Sequence, residues 1–293
     1  PRESRAGRIP DTSTAHVRAP DSAEPLRDVP RGSAEPLSVP PPGRISDTRR
    51  THVGTVPLAA VVDDADTARR AFAAGIRCLK IKLGPADSID RVFEMARAAP
   101  GARLRIDANR SWPRDEVVAR LTALADLPID YVEEPCLQAH LLLSVVLPCK
   151  IALDESLADM TPTELRAAFA SPSLAAVVLK PTVLGGIAAT LALAELAHQH
   201  GIAAVASHTL EGPIGTAACA EFAIALGGAV PAGLAAHSGL DGWQVEVAQL
   251  AADHVHSAQG PGLGFADLDL GAAVRACGNA ILPGDLAMQE TPP

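Results

Sequence analysis

The stretch CLKIKLGPADSIDRVFEMARAAPGARLRIDAN, residues 78–109, has the pattern of a strand, a helix and a second strand in turn. Its two ends, CLKIKLG (78–84) and RLRIDAN (103–109), are short and largely aliphatic, which is typical of strands in a parallel sheet. Between them, SIDRVFEMARAAP (88–100) spaces its apolar residues as an amphipathic helix does. The stretch therefore predicts a parallel βαβ unit.

The same alternation continues along the chain. Eight aliphatic runs precede alanine-rich helical stretches, and eight strands alternating with helices predict a closed α/β barrel of the TIM (β/α)₈ type. An open doubly wound sheet is the competing interpretation, and it is disfavoured because no G-x-G-x-x-G follows the first run. Besides the two quoted above, the runs are VPLAAVV (56–62), YVEEP (131–135), IALDES (151–156), AVVLKP (176–181), IAAVASH (202–208) and GLAAHSGL (233–240).

Composition divides the chain into three parts. Residues 1–52 are rich in Pro, Arg, Ser and Asp and repeat SAEPL, which predicts a disordered, low-complexity arm. Residues 53–245 carry the barrel pattern. Beyond residue 246 the pattern fades, and we expect 246–293 to pack back on the barrel or to form a residual cap.

Charge and cysteine content limit the partners that the protein can have. The formal net charge is -9 and the pI is about 5.4, which argues against nucleic acid and anionic membranes as partners. No apolar run approaches the roughly 18 residues that a transmembrane helix needs. The 5 cysteines include no C-x-x-C pair, which is typical of reduced thiols and predicts a cytoplasmic protein.

Polar side chains stand at the ends of five consecutive predicted strands. Active residues of such barrels lie at the C-terminal strand ends, so these side chains are expected to meet at one mouth. Lys80 and Lys82 end the second strand, and their spacing of two places both on one face. The following strand ends carry Asp107 with Asn109, then Glu133, Asp154 and Lys180.

Three carboxylates at one barrel mouth repel each other unless a cation joins them. Hard oxygen ligands that leave room for water suit Mg²⁺. Histidine and cysteine are absent from the ends of these strands, which argues against zinc. The competing interpretation is a barrel whose strand ends form ordinary salt bridges.

Lysine is rare in this chain and occurs only at Lys80, Lys82, Lys150 and Lys180. Arginine effectively never loses its proton, so a position that must exchange a proton requires lysine. A lysine beside a divalent cation has a lowered pKa and can remove a carbon-bound proton at neutral pH. The metal would then stabilise the enediolate formed on a substrate carboxylate.

Five segments of the chain resemble motifs of o-succinylbenzoate synthase, in the muconate-lactonising subgroup of the enolase superfamily. The resemblance spans about residues 56–245, with the motifs in family order, and implies a (β/α)₇β barrel that binds Mg²⁺ through Asp107, Glu133 and Asp154. A Lys or His base beside Mg²⁺ is the arrangement known for that superfamily. The motifs are LKIKLG, RIDANRSW, VEEPC, ALDES and VVLKPTVLGG.

The resemblance also implies roles for the lysines. Lys82 would take the α-proton and then return a proton to the departing hydroxyl, with Lys80 beside it to depress its pKa. Lys180 would stabilise the enediolate from the opposite face. The small carboxylate substrate would be 2-succinyl-6-hydroxy-2,4-cyclohexadiene-1-carboxylate, which loses water to give o-succinylbenzoate in menaquinone biosynthesis. Asn109, together with His208 and Glu211, is a candidate substrate contact, although a satisfied strand-end histidine and a helix-capping glutamate fit the sequence equally well.

Two alternatives remain open at this stage. Lys82 and Lys180 could form the two-base pair of an N-acylamino acid racemase or dipeptide epimerase. The chain could also be a non-catalytic, truncated barrel, because the resemblance implies an N-terminal α+β capping domain where this chain carries its proline-rich arm. A partial gene product or a lid supplied by a partner chain would account for the same departure.

Overall fold

The computed structural model describes residues 54–237, 240, 243, 246–259 and 262–265, so the predicted arm lies outside the described residues. The strands are β1 (Thr55–Pro57), β2 (Ala59–Val62), β3 (Cys78–Lys82), β4 (Arg103–Asp107), β5 (Ile129–Glu133), β6 (Ile151–Leu153), β7 (Leu174–Leu179), β8 (Ala203–Ala206) and β9 (His254–His256). The helices are α1 (Ala65–Ala73), α2 (Asp90–Ala98), α3 (Val117–Leu124), α4 (Ser156–Asp159), α5 (Pro162–Phe169), α6 (Ile187–Gln199) and α7 (Pro213–Leu226), with a 3₁₀ helix at Ala139–Ser144.

Strands β2 to β8 form a parallel, 7-stranded sheet in chain order. A short extended segment at Ala232 and Gly233 closes it. Ala232 accepts a hydrogen bond from the N–H of Ala59 at 2.9 Å, and Gly233 donates to the carbonyl of Ala206 at 2.8 Å. Because this segment bridges the last and first strands, the sheet becomes the predicted barrel, with the segment in the eighth position.

The barrel has two apolar layers that follow the alternation of its strands. Large aliphatic side chains such as Leu79, Leu104 and Ile106 point outward and are fully buried under the helices. The interior cluster is smaller and is built from Tyr131, Ala152, Ala176, Val178 and Val205. The apolar cluster fills only part of the lumen, and polar residues occupy the inward-facing positions at the strand ends.

Local sequence signals account for most helices. Asp64 caps α1, because its side chain accepts the N–H of Thr67 at 2.7 Å while the Thr67 hydroxyl accepts the N–H of Asp64. In α2, Val92 and Met95 are buried three residues apart on the face toward the sheet. Helix α7 differs, since buried residues surround it on several sides and it carries no clear amphipathic stripe for sequence analysis to detect.

The first predicted run, VPLAAVV, is two strands rather than one. Leu58 forms a bridge to Ala232, while β1 before it leaves the barrel and pairs antiparallel with β9. Within the predicted C-terminal segment 246–293, the described strand β9 therefore lies against β1. The three domain boundaries stay predictions.

No helix among the described residues is long and apolar enough to cross a membrane. The described cysteines are Cys78, Cys136, Cys149 and Cys219, and each is buried with a free thiol. Burial raises the pKa of Cys78 to about 11, so this thiol stays protonated at neutral pH. The cytoplasmic location predicted from these cysteines stays a prediction.

Candidate active site at the barrel mouth

Three inward-facing carboxylates lie at the ends of three consecutive strands. Asp107 pairs in register with Glu133 on the neighbouring strand, and Glu133 pairs with Ala152 on the next. Asp154 lies two residues beyond Ala152 and thus faces the same side. All three carboxylates are buried, with exposed side-chain fractions of 4%, 2% and 5%. The register of the parallel strands is what gathers them at one edge of the barrel.

The ammonium group of Lys80 lies between two of these carboxylates. Its Nζ is 2.9 Å from Asp107 Oδ2 and 2.9 Å from Glu133 Oε1. Burial by itself would lower the pKa of Lys80, but the charges of Glu133 and Asp107 outweigh it and raise the pKa. Lys80 is therefore a fixed cation in this arrangement, held between the two carboxylates. The role beside Lys82 that the resemblance implied for it stays a prediction.

The third carboxylate has a lysine of its own. Asp154 forms an ion pair and hydrogen bond with Lys180, which follows the end of β7. Burial raises the pKa of Asp154, while the charge of Lys180 opposes that rise. The charge of Asp154 in turn raises the pKa of Glu133, so the second and third carboxylates influence each other.

Lys82 has a different environment from Lys80. Both lie on the lumen side of β3, but Lys80 is partly buried and Lys82 is exposed at the mouth. Strands β3 and β7 are four positions apart in a ring of seven strands and one closing segment, so Lys82 and Lys180 lie on opposite sides of the mouth. The carboxylate-bearing strands lie between them on one side of the ring.

The electrostatic balance of the site favours an added positive charge. Burial is the largest influence on Glu133 and raises its pKa, and the neighbouring charges of Asp107 and Asp154 raise it further. Lys80 only partly opposes this. A buried carboxylate that is destabilised by two others is stabilised by any cation that reaches all three.

Within the described part of the chain, no three His, Cys, Asp or Glu side chains already converge as a metal-binding group. The side chains of Asp107 and Glu133 turn toward Lys80, and that of Asp154 turns toward Lys180. The predicted Mg²⁺ ligands are thus brought to one edge of the barrel with lysine partners, and their role as ligands stays a prediction.

Glu134 is a buried carboxylate that sequence analysis left without a role. It is 0% exposed and points away from Glu133, toward the loop after β6. Its Oε1 accepts the N–H groups of Asp154 and Ser156, each at 2.8 Å, and its Oε2 accepts the Ser156 hydroxyl at 2.9 Å. Arg110 approaches the same Oε2 at 3.3 Å. The adjacent acids in VEEPC were the only sequence signal for this network.

Arg105 is a second residue missed by sequence analysis. It pairs in register with Lys80, and it is buried in the lumen with its guanidinium over the ring of Tyr131. Its Nη1 donates to the carbonyl of Pro231 at 2.7 Å. The alternation of side chains in RLRID directs Arg105 into the barrel. Its hydrogen-bond acceptor, the carbonyl of Pro231, directly precedes the closing segment and could not be found from the local pattern.

Two of the candidate substrate contacts are occupied within the protein. His208 Nδ1 accepts the N–H of Leu210 at 3.2 Å, which leaves Nε2 to donate to the carbonyl of Ala235 at 3.2 Å. Glu211 accepts from the hydroxyl groups of Thr182 and Thr209, each at 2.6 Å. These contacts match the structural interpretation of His208 as a satisfied strand-end histidine. The Glu211 side chain does not cap helix α7 and instead joins the loops of Thr182 and Thr209. Substrate contact stays a prediction for both residues.

The third candidate, Asn109, is exposed beside the carboxylates. Its backbone has a left-handed φ of 44°, and its N–H donates to Asp107 Oδ1 at 3.0 Å. The backbone therefore orients Asp107, while the side chain faces the solvent-accessible mouth.

With this geometry established, comparison with known proteins decides the family. The model of the family described as "Enolase C-terminal domain-like" matches residues 63–268. The chain belongs to this family. The resemblance that the strand-end motifs indicated is thereby confirmed.

Members of the enolase family that resemble this chain include two o-succinylbenzoate synthases. That of Thermobifida fusca is 34% identical over 184 residues, covering 59% of this chain and 56% of the relative. That of Pasteurella multocida is 33% identical over 159 residues, covering 51% and 47%. The chain thus spans about half the length of the curated relatives it matches.

Among solved structures, an L-Ala-D/L-Glu epimerase superposes with a TM-score of 0.57 at 27% identity, over 69% of this chain and 64% of that protein. The α/β barrel predicted from sequence is the barrel of this enolase-type family. Its relatives thus include proteins of different activities.

Proposed function

We propose that this chain is the barrel of a Mg²⁺-dependent lyase of the o-succinylbenzoate synthase type. The observation that carries the proposal is the pair Lys82 and Lys180 on opposite sides of a mouth whose intervening strands bear three buried carboxylates. The similarity to two o-succinylbenzoate synthases supports this reaction among those of the family.

The chemistry of the donors fits a hard divalent cation. All three candidate ligands are carboxylate oxygens, which Mg²⁺ prefers. Burial and mutual repulsion raise the pKa of Glu133, so a cation shared by Asp107, Glu133 and Asp154 would relieve an unfavourable arrangement of charge. Binding requires the carboxylates to exchange their present lysine partners for the ion. When bound, Mg²⁺ would supply positive charge to the carboxylate of the substrate.

Lys82 is the residue best placed to move protons. As the exposed lysine at the mouth, it would remove the proton next to the substrate carboxylate. The electron pair of that C–H bond would then expel the hydroxyl group, and Lys82 would return the proton so that water leaves. The ring becomes aromatic, which makes the elimination favourable.

Lys180 would act as a fixed cation on the opposite side of the mouth. Its ammonium is already paired with Asp154, and it would stabilise the negative charge that develops on the substrate during proton removal. The implied substrate is 2-succinyl-6-hydroxy-2,4-cyclohexadiene-1-carboxylate and the product o-succinylbenzoate, a step of menaquinone biosynthesis.

A spectrophotometric assay of this substrate with the purified chain tests the proposal. Turnover that requires Mg²⁺ and stops with excess chelator would support the lyase. A folded chain that binds Mg²⁺ but does not turn over the substrate would refute the proposed reaction for this chain and leave epimerisation or a non-catalytic barrel.

A second candidate is epimerisation, which the similarity to the L-Ala-D/L-Glu epimerase favours. The positions of Lys82 and Lys180 would also suit two bases that act on opposite faces of one carbon. Incubation of L-Ala-L-Glu in deuterium oxide separates the two candidates. Deuterium at an inverted α-carbon would identify the epimerase, and an unlabelled dipeptide would exclude epimerisation of this substrate.

A further inference from the structure

The buried side chain of Glu134 connects the ends of the three consecutive strands β4, β5 and β6 beside the candidate metal site. It belongs to the end of β5, it accepts two backbone N–H groups from the loop after β6, and it meets the Arg110 side chain from the loop after β4. These are the strands that carry Glu133, Asp154 and Asp107. One buried side chain thus contacts every segment from which a proposed ligand projects.

We propose that Glu134 is the positioning residue of this metal site. It would act through the main chain of Asp154 and through Arg110, without touching the ion or the substrate. The proposal rests on the proposed Mg²⁺ site and adds to it a residue that sets the geometry of the ligands.

The hydrogen bonds explain why the position requires a carboxylate. Oε1 accepts from the N–H groups of Asp154 and Ser156, while Oε2 accepts from the Ser156 hydroxyl and from Arg110. A carboxylate offers acceptors on both oxygens, whereas an amide has one oxygen and would turn an NH₂ group toward the guanidinium. Glutamine would therefore break the link to the loop after β4 while keeping the size of the side chain.

Glu134 and Arg110, with the hydrogen bonds that join them to the loop after β6, form a clamp. The backbone of both residues has a strained conformation that other contacts must stabilise. Glu134 has a φ of 42° and Arg110 a φ of 60°, both in the left-handed region that non-glycine residues seldom adopt. The N–H of Arg110 donates to the carbonyl of Glu134 at 2.7 Å, and the N–H of Glu134 donates to that of Ala152 at 3.1 Å. Such strained residues persist when the surrounding contacts fix them. Here those contacts join the three strand ends.

Arg110 extends the clamp to the surface. Its Nη2 donates to Asp159 at 2.8 Å, at the end of α4, and to the Ser156 hydroxyl at 3.4 Å. The loop and short helix that follow Asp154 are thus held on both sides. Because Asp154 directly precedes this segment, loosening it changes where the Asp154 carboxylate points.

Metal affinity measured with Mn²⁺ alone tests the role without any need for turnover. Titrating the protein with Mn²⁺ and following the electron paramagnetic resonance signal of the free ion gives the dissociation constant. We expect Glu134→Gln to weaken Mn²⁺ binding by about 10- to 100-fold, the usual loss when an outer partner of a metal ligand is changed. Thermal melting and circular dichroism confirm that the variant is folded.

Asp130→Asn is the matched control. It makes the same carboxylate-to-amide change on the same strand, at the opposite end, where Asp130 pairs with Arg103 and lies near Arg105. Its Mn²⁺ affinity should stay within about twofold of the unchanged protein, as expected for a distant site. An equal loss in both variants would mean that Glu134 is merely structural, and it would overturn the proposal.

A second variant keeps the test decisive if Glu134→Gln does not fold. Arg110→Gln alters the partly exposed end of the clamp, and we expect it to weaken Mn²⁺ binding in the same direction by a smaller factor. Unchanged affinity in a folded Glu134→Gln, or in Arg110→Gln when it alone folds, would overturn the positioning role. Failure of the unchanged protein to bind Mn²⁺ is a separate outcome that would overturn the proposed metal site itself.

Discussion

Replacing Lys80 by methionine removes a buried cation with little change in side-chain volume. The Lys80 ammonium lies 2.9 Å from both Asp107 and Glu133, whose side chains are only 4% and 2% exposed. At an effective dielectric constant of 20, each contact has a gross attraction of about 6 kcal/mol. The desolvation of three charged groups offsets most of that sum. Breaking such a buried ion pair from one side costs about 3–5 kcal/mol.

We therefore expect Lys80→Met to lose about 3–5 kcal/mol of unfolding free energy at neutral pH in the presence of chelator. Urea unfolding followed by circular dichroism measures the loss. Mg²⁺ should restore part of it, because the two uncompensated carboxylates gain another cation. The recovery would be about 2.7 kcal/mol at a concentration of one hundred times the dissociation constant.

Lys150→Met is the control for loss of a lysine charge. Lys150 is exposed at the opposite end of the barrel, so its replacement should change stability by less than about 0.5 kcal/mol and should not create any response to Mg²⁺. A loss below about 1 kcal/mol in Lys80→Met would refute the view that this lysine balances the buried carboxylates. Equal losses at both lysines would refute it as well.

Three further predictions concern the mouth of the barrel. Lys82→Arg should lower kcat by at least about a hundredfold without lowering the melting temperature, because arginine cannot accept the proton, and a smaller loss would remove Lys82 from the role of base. Glu133→Gln should weaken Mg²⁺ binding at least about tenfold, as measured by calorimetry, and unchanged affinity would remove Glu133 from the ligand set. The same variant should lose little unfolding free energy, because burial already raises the pKa of the Glu133 carboxyl. Burial lowers the pKa of His208, and the neighbouring His237 lowers it further. Because the folded protein thus prefers the neutral ring, it should lose stability as the pH falls below about 6.5. Denaturation midpoints between pH 7 and 5 should fall less steeply in His208→Gln, and parallel slopes would contradict this assignment.

Much of the barrel could be predicted because its local signals agree with its packing. The strands predicted at 78–84 and 103–109 are β3 and β4, and the intervening helix is α2. In a parallel barrel each strand end faces the same mouth, so the polar residues that end the runs could be assigned to one site. The alternation of side chains also predicts that Lys80 and Lys82 share one face of their strand, as they do in the structure.

Other features depended on contacts between distant parts of the chain. Helix α7 has apolar residues on most of its surface, and only its burial under neighbouring elements explains why. The split of the first run into β1 and β2 depends on β9, almost two hundred residues later, which pairs with β1. Sequence periodicity carries no information about such a partner.

The sequence by itself determined which residues stand at the mouth, because the strand period and the alternation of strands and helices along the chain are local properties. Only the tertiary structure decided what each of them does there. Lys80 and Lys82 share a strand, a face and a residue type, yet depth in the lumen makes one a buried partner of two carboxylates and leaves the other exposed. Glu133 and Glu134 are adjacent in the sequence, and their opposite directions send one into the lumen and the other beneath the loop of Asp154. Burial and partners fix the charge and freedom of these groups, and both arise from residues far away in the chain.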